Sequence, residues 1–152
     1  MEHIVYCDTK AKVLEKIVSG RKTMIIRGAA GRKLPHGRVF EGETLYLIEN
    51  NGTGLIKAKA TVQSVYNSGK MTGEESRVVV SENQDKLDLT EEQIKRWTGK
   101  RILCLIQIKD VEVIEPLVLA HQKNMDDWIT VEQITSVLEG TNEKYHSIRV
   151  KD

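Results

Sequence analysis

Residues 20–38 have the sequence GRKTMIIRGAAGRKLPHGR, and this stretch differs in charge from the rest of the chain. It contains no Asp or Glu, one histidine (His36) and six basic residues: Arg21, Lys22, Arg27, Arg32, Lys33 and Arg38. The chain as a whole has a formal net charge of +1, so a stretch that contributes +6 leaves −5 for the remainder. Fixed cations repel one another and concentrate anions around them. This stretch, called the basic segment below, therefore indicates a site for an anionic ligand. The alternative is a solvated loop whose acidic partners lie elsewhere in the chain.

The length and composition indicate one globular domain over residues 1–152. The chain has 152 residues and a hydrophobic fraction of 39%, which suits a single hydrophobic core. No internal repeat or linker divides the sequence. We expect the core of the domain within residues 1–116 and a helical extension over residues 117–152.

Several features predict a cytoplasmic protein with no membrane partner. No apolar run approaches the ~20 residues that cross a bilayer, and the first residues lack the basic and long apolar regions of a secretory signal. Cys7 and Cys104 lie in apolar, strand-like contexts, which predicts buried thiols in a reducing compartment. The histidines are scattered singly, so we expect no metal site, and we expect no cofactor. The sequence leaves the oligomeric state open.

An amphipathic helix and a strand meet at the start of the basic segment. Asp8 and Thr9 offer N-cap oxygens to a helix over residues 10–18. Gly20 falls where a left-handed residue ends such a helix. The next residues, 23–27, predict a strand.

The spacing of residues within this strand predicts which face is open. Lys22 and Arg27 are separated by an odd number of residues, which places them on opposite faces of a regular strand. A shared site therefore requires Lys22 to belong to the turn, or a bulge to reset the alternation. Met24 and Ile26 form a natural core pair, so we expect the face that carries Arg27 to be open.

Alternation and capping patterns predict the remaining elements. Period-two patterns predict strands at residues 44–49 and 55–66, and an apolar central strand at 100–108 that extends over 111–114 until Pro116 stops it. Capping boxes at Thr72, Thr90 and Thr130 predict helices over residues 73–83, 91–97 and 131–138. Trp128 is expected to cover an edge of the sheet, and residues 146–150 are a candidate edge strand. Together these patterns predict an α+β fold, a mixed β-barrel of about five to seven strands with three to four flanking helices.

Residues 20–27 fit the pattern G-x-K-x-x-x-x-R, and this region resembles the ASCH family of the PUA-like superfamily. The order of elements is similar over about residues 10–115. The resemblance implies a PUA-like barrel with a basic cleft for nucleic acid or a modified nucleoside. Within that family some members resemble RNA-binding modules, some are amidohydrolases that act on acylated cytidines, and ribonuclease activity is also associated with the fold.

Three functions follow, and we rank a binding module first. In that interpretation the protein binds RNA or a nucleotide through a basic cleft at residues 20–38, and Tyr66 or Trp97 is a candidate for base stacking. The candidate ligand-binding residues are Lys22, Arg27, Arg32, Lys33, His36 and Arg38.

The two enzymatic alternatives also centre on Lys22, and the sequence leaves catalysis open. The resemblance implies a Lys–Thr–Glu arrangement for amidohydrolases, in which Lys22 matches, Ile25 stands at the threonine position, and Glu82 or Asp85 is a candidate carboxylate. In a ribonuclease, Lys22 and Arg27 would stabilise a phosphoryl transition state while His36 or a carboxylate moves the proton.

Overall fold

Six β-strands form the framework of the computed structural model, which describes residues 1–31, 33–120 and 127–139. The strands are β1 (Glu2–Cys7), β2 (Met24–Ala29), β3 (Thr44–Glu49), β4 (Leu55–Asn67), β5 (Ile102–Val118) and β6 (Trp128–Val131). They form one sheet in the order β2-β5-β4-β3-β1-β6. β1 and β3 run parallel, and the other neighbouring strands are antiparallel. The sheet curls into a half-barrel, and its strand number lies within the predicted range.

Four helices flank this sheet in the described part of the chain. They are α1 (Val13–Val18), α2 (Gly73–Glu82), α3 (Gln84–Leu87) and α4 (Glu91–Trp97). The capping boxes predicted for α2 and α4 are confirmed: the hydroxyls of Thr72 and Thr90 accept the N–H groups of Glu75 and Gln93 at 3.1 and 3.2 Å. None of the helices described is long and apolar enough to cross a membrane.

Helix α1 is shorter than predicted, and a local turn explains the difference. A carboxylate oxygen of Asp8 accepts the N–H of Lys10 at 2.9 Å. Lys12 then adopts a left-handed conformation with φ of 56°, so helical geometry begins only at Val13. At the other end of the helix Gly20 has φ of 84°, which confirms the prediction that a left-handed residue at this position ends the helix.

Strand β5 continues past Pro116, where we predicted that it would stop. Leu117 and Val118 pair with Ile56 and Leu55 of β4. The register between the two strands shifts between Ile56 and Ala58, and this irregularity accommodates a proline that has no N–H to give to the ladder.

The predicted helix over residues 131–138 is wrong. Thr130 and Val131 belong to β6 and pair with His3 and Glu2 of β1, and the only helical element that follows in the described residues is a 3-10 helix, Ile134–Val137. Pairing with β1 across the sheet therefore outweighs the local capping pattern. The candidate strand at residues 146–150 lies outside the described residues.

Both faces of β2 are buried at Met24–Ile26, whereas Arg27, Gly28 and Ala29 are only partly buried, so the face that carries Arg27 is open in its second half alone. Met24 and Ile26 pack against the helices α2 to α4 and are the predicted core pair. Ile25, on the opposite face, is only 2% exposed and belongs to the main core of the half-barrel. The helices cover one side of β2 and the curled sheet covers the other.

Substitution of Gly28 in β2 tests how closely this strand is packed. A Cβ on Gly28 would lie 2.7 Å from Cδ2 of Leu103 and 3.1 Å from the carbonyl oxygen of Ile102. We expect Gly28→Ala to lower the free energy of unfolding by about 1–3 kcal/mol, because overpacking forces these neighbours to move. Gly31→Ala is the matched control, since no described atom lies within 4 Å of its Cβ position. Urea unfolding of both variants gives the comparison, and equal stability would contradict the close packing around β2.

Candidate functional site

Arg27 connects the two ends of the curled sheet. β2 is one edge of the sheet, and the guanidinium of Arg27 reaches from it to β1. Nη2 donates to the carbonyl oxygen of Tyr6 at 2.8 Å, and Nη1 donates to that of Ile26 at 2.9 Å. Nε lies 3.0 Å from a carboxylate oxygen of Asp127, and the guanidinium carbon lies 5.7 Å from the ring centroid of Trp128. The charge of Arg27 is therefore largely satisfied within the protein.

Lys22 lies before the first residue of β2, which is one of the two arrangements predicted for a site shared with Arg27, but its side chain is 3% exposed. Its amine donates to the carbonyl oxygen of Leu87 at 2.6 Å. No carboxylate of the described residues lies within ion-pair distance of this amine. Burial, together with the neighbouring charges of Arg27 and Lys16, lowers the pKa of Lys22 to about 7. Lys22 is thus a buried amine that can exchange a proton near neutral pH.

A cavity of about 330 Å³ lies between β1 and β2, and Lys22 faces it. Apolar side chains form part of its wall: Val5, Val13, Ile25, Ile26, Leu89 and Trp97. Tyr6, Cys7 and a set of polar and charged residues complete the lining, the latter being Asp8, Lys22, Arg27, Asn50, Gln93, Arg96 and Asp127. We call this the first cavity.

A second cavity of about 250 Å³ lies beside the first. The two share four lining residues: Arg27, Arg96, Trp97 and Asp127. The charged side chains of the second cavity are four cations, Arg27, Lys33, Arg96 and Lys100, and one carboxylate, Asp127. Because of the shared residues we treat the two cavities as parts of one cleft.

The structure brings some of the predicted site residues together in this cleft. Lys22 lines the first cavity, Lys33 and His36 line the second, and Arg27 lines both. Nε2 of His36 donates to the carbonyl oxygen of Ser68 at 2.8 Å, which fixes the orientation of the ring.

The other predicted site residues are not part of either cavity lining. Arg38 is exposed, and Glu82 is exposed at the end of α2. Arg21, a cation of the basic segment that was not a predicted site residue, points outward and lies 3.3 Å from a carboxylate oxygen of Asp88. Arg32 lies outside the described residues. Part of the positive charge of the basic segment therefore has acidic partners elsewhere in the chain, as the alternative interpretation of that segment requires.

Sequence reasoning missed the contribution of the end of α4. Arg96 is exposed, and its guanidinium carbon lies 4.7 Å from the ring centroid of Trp97. Lys100, just beyond the helix, lines the second cavity. The signal was the basic-aromatic run K-R-W at residues 95–97. Tyr66, the other stacking candidate, is exposed and lines neither cavity.

Comparison with solved structures shows that the chain has the fold of ASCH proteins, an α+β half-barrel, as the sequence predicted. The similar structures are an ASCH protein from Zymomonas mobilis and two of its single-residue variants. The former superposes with a TM-score of 0.65 at 15% identity over 96% of this chain and 94% of that one. The variants superpose with a TM-score of 0.66, also at 15% identity. No protein-family model and no curated protein matches the sequence.

The depressed pKa of Lys22 predicts how stability changes with pH. With a pKa of about 7 in the folded state against 10.5 for an ordinary lysine, the unfolded chain binds more protons between those two values. The free energy of unfolding must therefore rise with pH across that window. Between about pH 7 and about pH 9, we expect wild type to gain on the order of 1–2 kcal/mol relative to Lys22→Met.

Urea unfolding at both pH values measures this difference. Lys10→Met removes an exposed amine and is the control, so it should follow wild type. If Lys22→Met also followed wild type over this range, the amine of Lys22 would not be held in a buried, proton-releasing environment.

Proposed function

We propose that this protein binds RNA or a nucleotide in the cleft formed by the two cavities. The observation that carries the proposal is the charge of the second cavity, where four Lys/Arg side chains face one carboxylate. Arg27 and Asp127 pair with each other, so Lys33, Arg96 and Lys100 remain as the excess positive charge. Cations of this kind bind phosphate groups and supply most of the sequence-independent affinity for nucleic acid.

The first cavity has the properties expected for a nucleobase or nucleoside. Its volume of about 330 Å³ is within the range of small-molecule sites, and its apolar wall suits an unstacked base. The side-chain oxygens of Asn50 and Gln93 accept backbone N–H groups of Thr9 and Thr90 at 2.9 and 3.1 Å. Their NH₂ groups have no partner among the described residues and are available to donate to base carbonyls.

A base that enters this cavity must leave a helical stack, so the proposal favours single-stranded RNA or a free nucleotide over a duplex. The Arg96 guanidinium above Trp97 provides a planar cation in the lining of both cavities, and planar cations stack on bases. Lys22, which can take up a proton near pH 7, adds a positive charge when an anion approaches.

The enzymatic alternatives have less support around Lys22. Ile25, at the position of the amidohydrolase threonine, is packed in the main core, and Glu82 lines neither cavity. The ribonuclease alternative assigns Arg27 to a transition state, but this guanidinium is already bonded to Tyr6 and Ile26. We therefore propose binding without assigning a reaction.

We also propose that the chain acts as one domain in the cytoplasm. Cys7 and Cys104 are free, buried thiols, which is typical of a reducing compartment.

Binding to single-stranded RNA at a series of salt concentrations tests the proposal. The probe is a radiolabelled decauridylate, and the variant is Lys33→Ala with Lys100→Ala. Each cation that no longer neutralises a phosphate should reduce the slope of log affinity against log salt by about 0.7. We therefore expect weaker binding and a slope smaller by up to about 1.4 for the double variant.

Lys57→Ala with Lys59→Ala is the matched control. It removes the same charge from the outward-facing side of β4, where the two lysines lie 3.5 and 3.7 Å from Glu49 and Glu112. The control should bind as wild type does. The proposal is contradicted if the cleft variant binds with unchanged affinity and slope, or if binding by the control is weakened as much as binding by the cleft variant.

A further inference from the structure

His3 is a titratable side chain that is completely buried, with 0% exposure. Its Nε2 lies 2.9 Å from a carboxylate oxygen of Glu43. Its Nδ1 lies 3.1 Å from Nε1 of Trp128 and 3.0 Å from the hydroxyl of Thr130. Both ring nitrogens are therefore engaged, one by the segment that precedes β3 and the other by β6.

The partners of His3 determine its tautomer. An indole N–H can only donate, so Nδ1 of His3 must accept from Trp128. A carboxylate only accepts, so Nε2 carries the proton and donates to Glu43. The arrangement thus requires a neutral His3.

A second proton on His3 would disrupt the contact with Trp128. That proton would sit on Nδ1, where the hydroxyl of Thr130 can accept it, but the indole N–H of Trp128 would then face another donor at 3.1 Å. Protonation therefore replaces a hydrogen bond with a repulsive contact between two buried groups.

The charged groups around His3 act in opposite directions. Burial lowers the pKa of His3, the hydrogen bond and charge of Glu43 raise it, the N-terminal ammonium lowers it, and Glu2 raises it, with a net shift downward. The ammonium also pairs with Glu43 at 3.2 Å. Trp128 and Thr130, which pack on His3 from β6, carry no charge. His3 consequently stays neutral at neutral pH and takes up its proton below its ordinary pKa of 6.5.

Trp128 links His3 to the cleft. Its ring lies 5.7 Å from the guanidinium carbon of Arg27, and the neighbouring residue Asp127 forms the ion pair with Arg27. The backbone carbonyl of Asp127 also accepts the backbone N–H of Tyr6 at 3.0 Å. A displacement of Trp128 would therefore disturb Arg27 and Asp127, which line both cavities.

We propose that His3 is a positioning residue for the cleft, and that its protonation in mildly acidic solution displaces Trp128 and weakens ligand binding. The inference rests on the proposed function, because it concerns the regulation of the same cleft. Protonation of His3 is expected to weaken ligand binding as the pH falls, whereas protonation of Lys22 adds a positive charge that favours binding of an anion. Since the pKa of Lys22 is about 7, Lys22 is largely protonated where His3 begins to titrate.

The first arm of the test uses no ligand. In a Trp97→Phe background Trp128 is the only tryptophan, and its fluorescence is followed from about pH 7.5 to about pH 5. We expect a transition with a midpoint below 6.5 that is absent in His3→Asn, because the Asn oxygen replaces Nδ1 as the acceptor and does not titrate. The inference is overturned if Trp128 shows no transition, or shows the same transition in His3→Asn.

An NMR measurement on wild type covers the case in which His3→Asn fails to fold. The nitrogen chemical shifts of the His3 ring should indicate a neutral Nε2–H tautomer at about pH 7.5 and protonation below pH 6.5. A charged ring or the Nδ1–H tautomer at about pH 7.5 would overturn the inference.

The second arm measures binding of decauridylate, whose bases do not take up protons in this range. We expect the affinity of wild type to be about threefold to tenfold lower at about pH 5 than at about pH 6.5. The midpoint of this decrease should coincide with the midpoint of the Trp128 fluorescence transition. The affinity of His3→Asn should not change over this pH range. Affinity that stays constant while Trp128 titrates would overturn the link to the cleft. A complete lack of binding at every pH contradicts the proposed function itself. In that case the fluorescence transition of Trp128, which is measured without ligand, is still observed, so the two failures can be told apart.

Discussion

The fold depends on the bonds that Arg27 makes across the opening of the curled sheet. β2 and β1 are not paired as neighbours, so the strands alone leave the half-barrel open. One side chain supplies the connection through its donation to the carbonyl oxygen of Tyr6 and its ion pair with Asp127. A charge that is mostly buried is tolerated only when such partners satisfy it. Arg27 is in the lining of both cavities, so this connection lies where the two cavities adjoin.

Three ways of accommodating a cation occur within this cleft. The charge of Arg27 is paired with that of Asp127. The amine of Lys22 loses its proton more readily than an ordinary lysine, because burial lowers its pKa to about 7. Lys33, Arg96 and Lys100 have no carboxylate partner among the described residues and stay in contact with solvent. The cations without a carboxylate partner therefore line the second cavity, beside a first cavity whose wall is partly apolar and partly polar. This division makes the site suited to a molecule with an anionic end and a flat, partly apolar end.

Local signals predicted much of the fold, whereas the site depends on contacts between distant residues. Capping boxes placed α2 and α4, alternation placed β4, and Gly20 ended the first helix, because each pattern acts over a few residues. The partners of Arg27 could not be read in this way, since Tyr6 lies 21 residues away and the bond closes only when the sheet curls. The capping box at Thr130 failed for the same reason: its hydroxyl meets His3, 127 residues distant. Arg96 and Lys100 were missed because only the folded chain brings α4 to the basic segment.

A comparison of Arg27→Met with Arg38→Met tests the central claim most directly. Both variants remove one cation of the basic segment, but only Arg27 bonds across the opening of the sheet, whereas Arg38 is exposed. Urea unfolding should show a decrease of about 1.5–3 kcal/mol in the free energy of unfolding for Arg27→Met, because charged hydrogen bonds are broken and buried acceptors are left without their donor. Arg38→Met should unfold as wild type does. Equal stability of the two variants would contradict the account, and Arg27 would then be a free cation of the cleft.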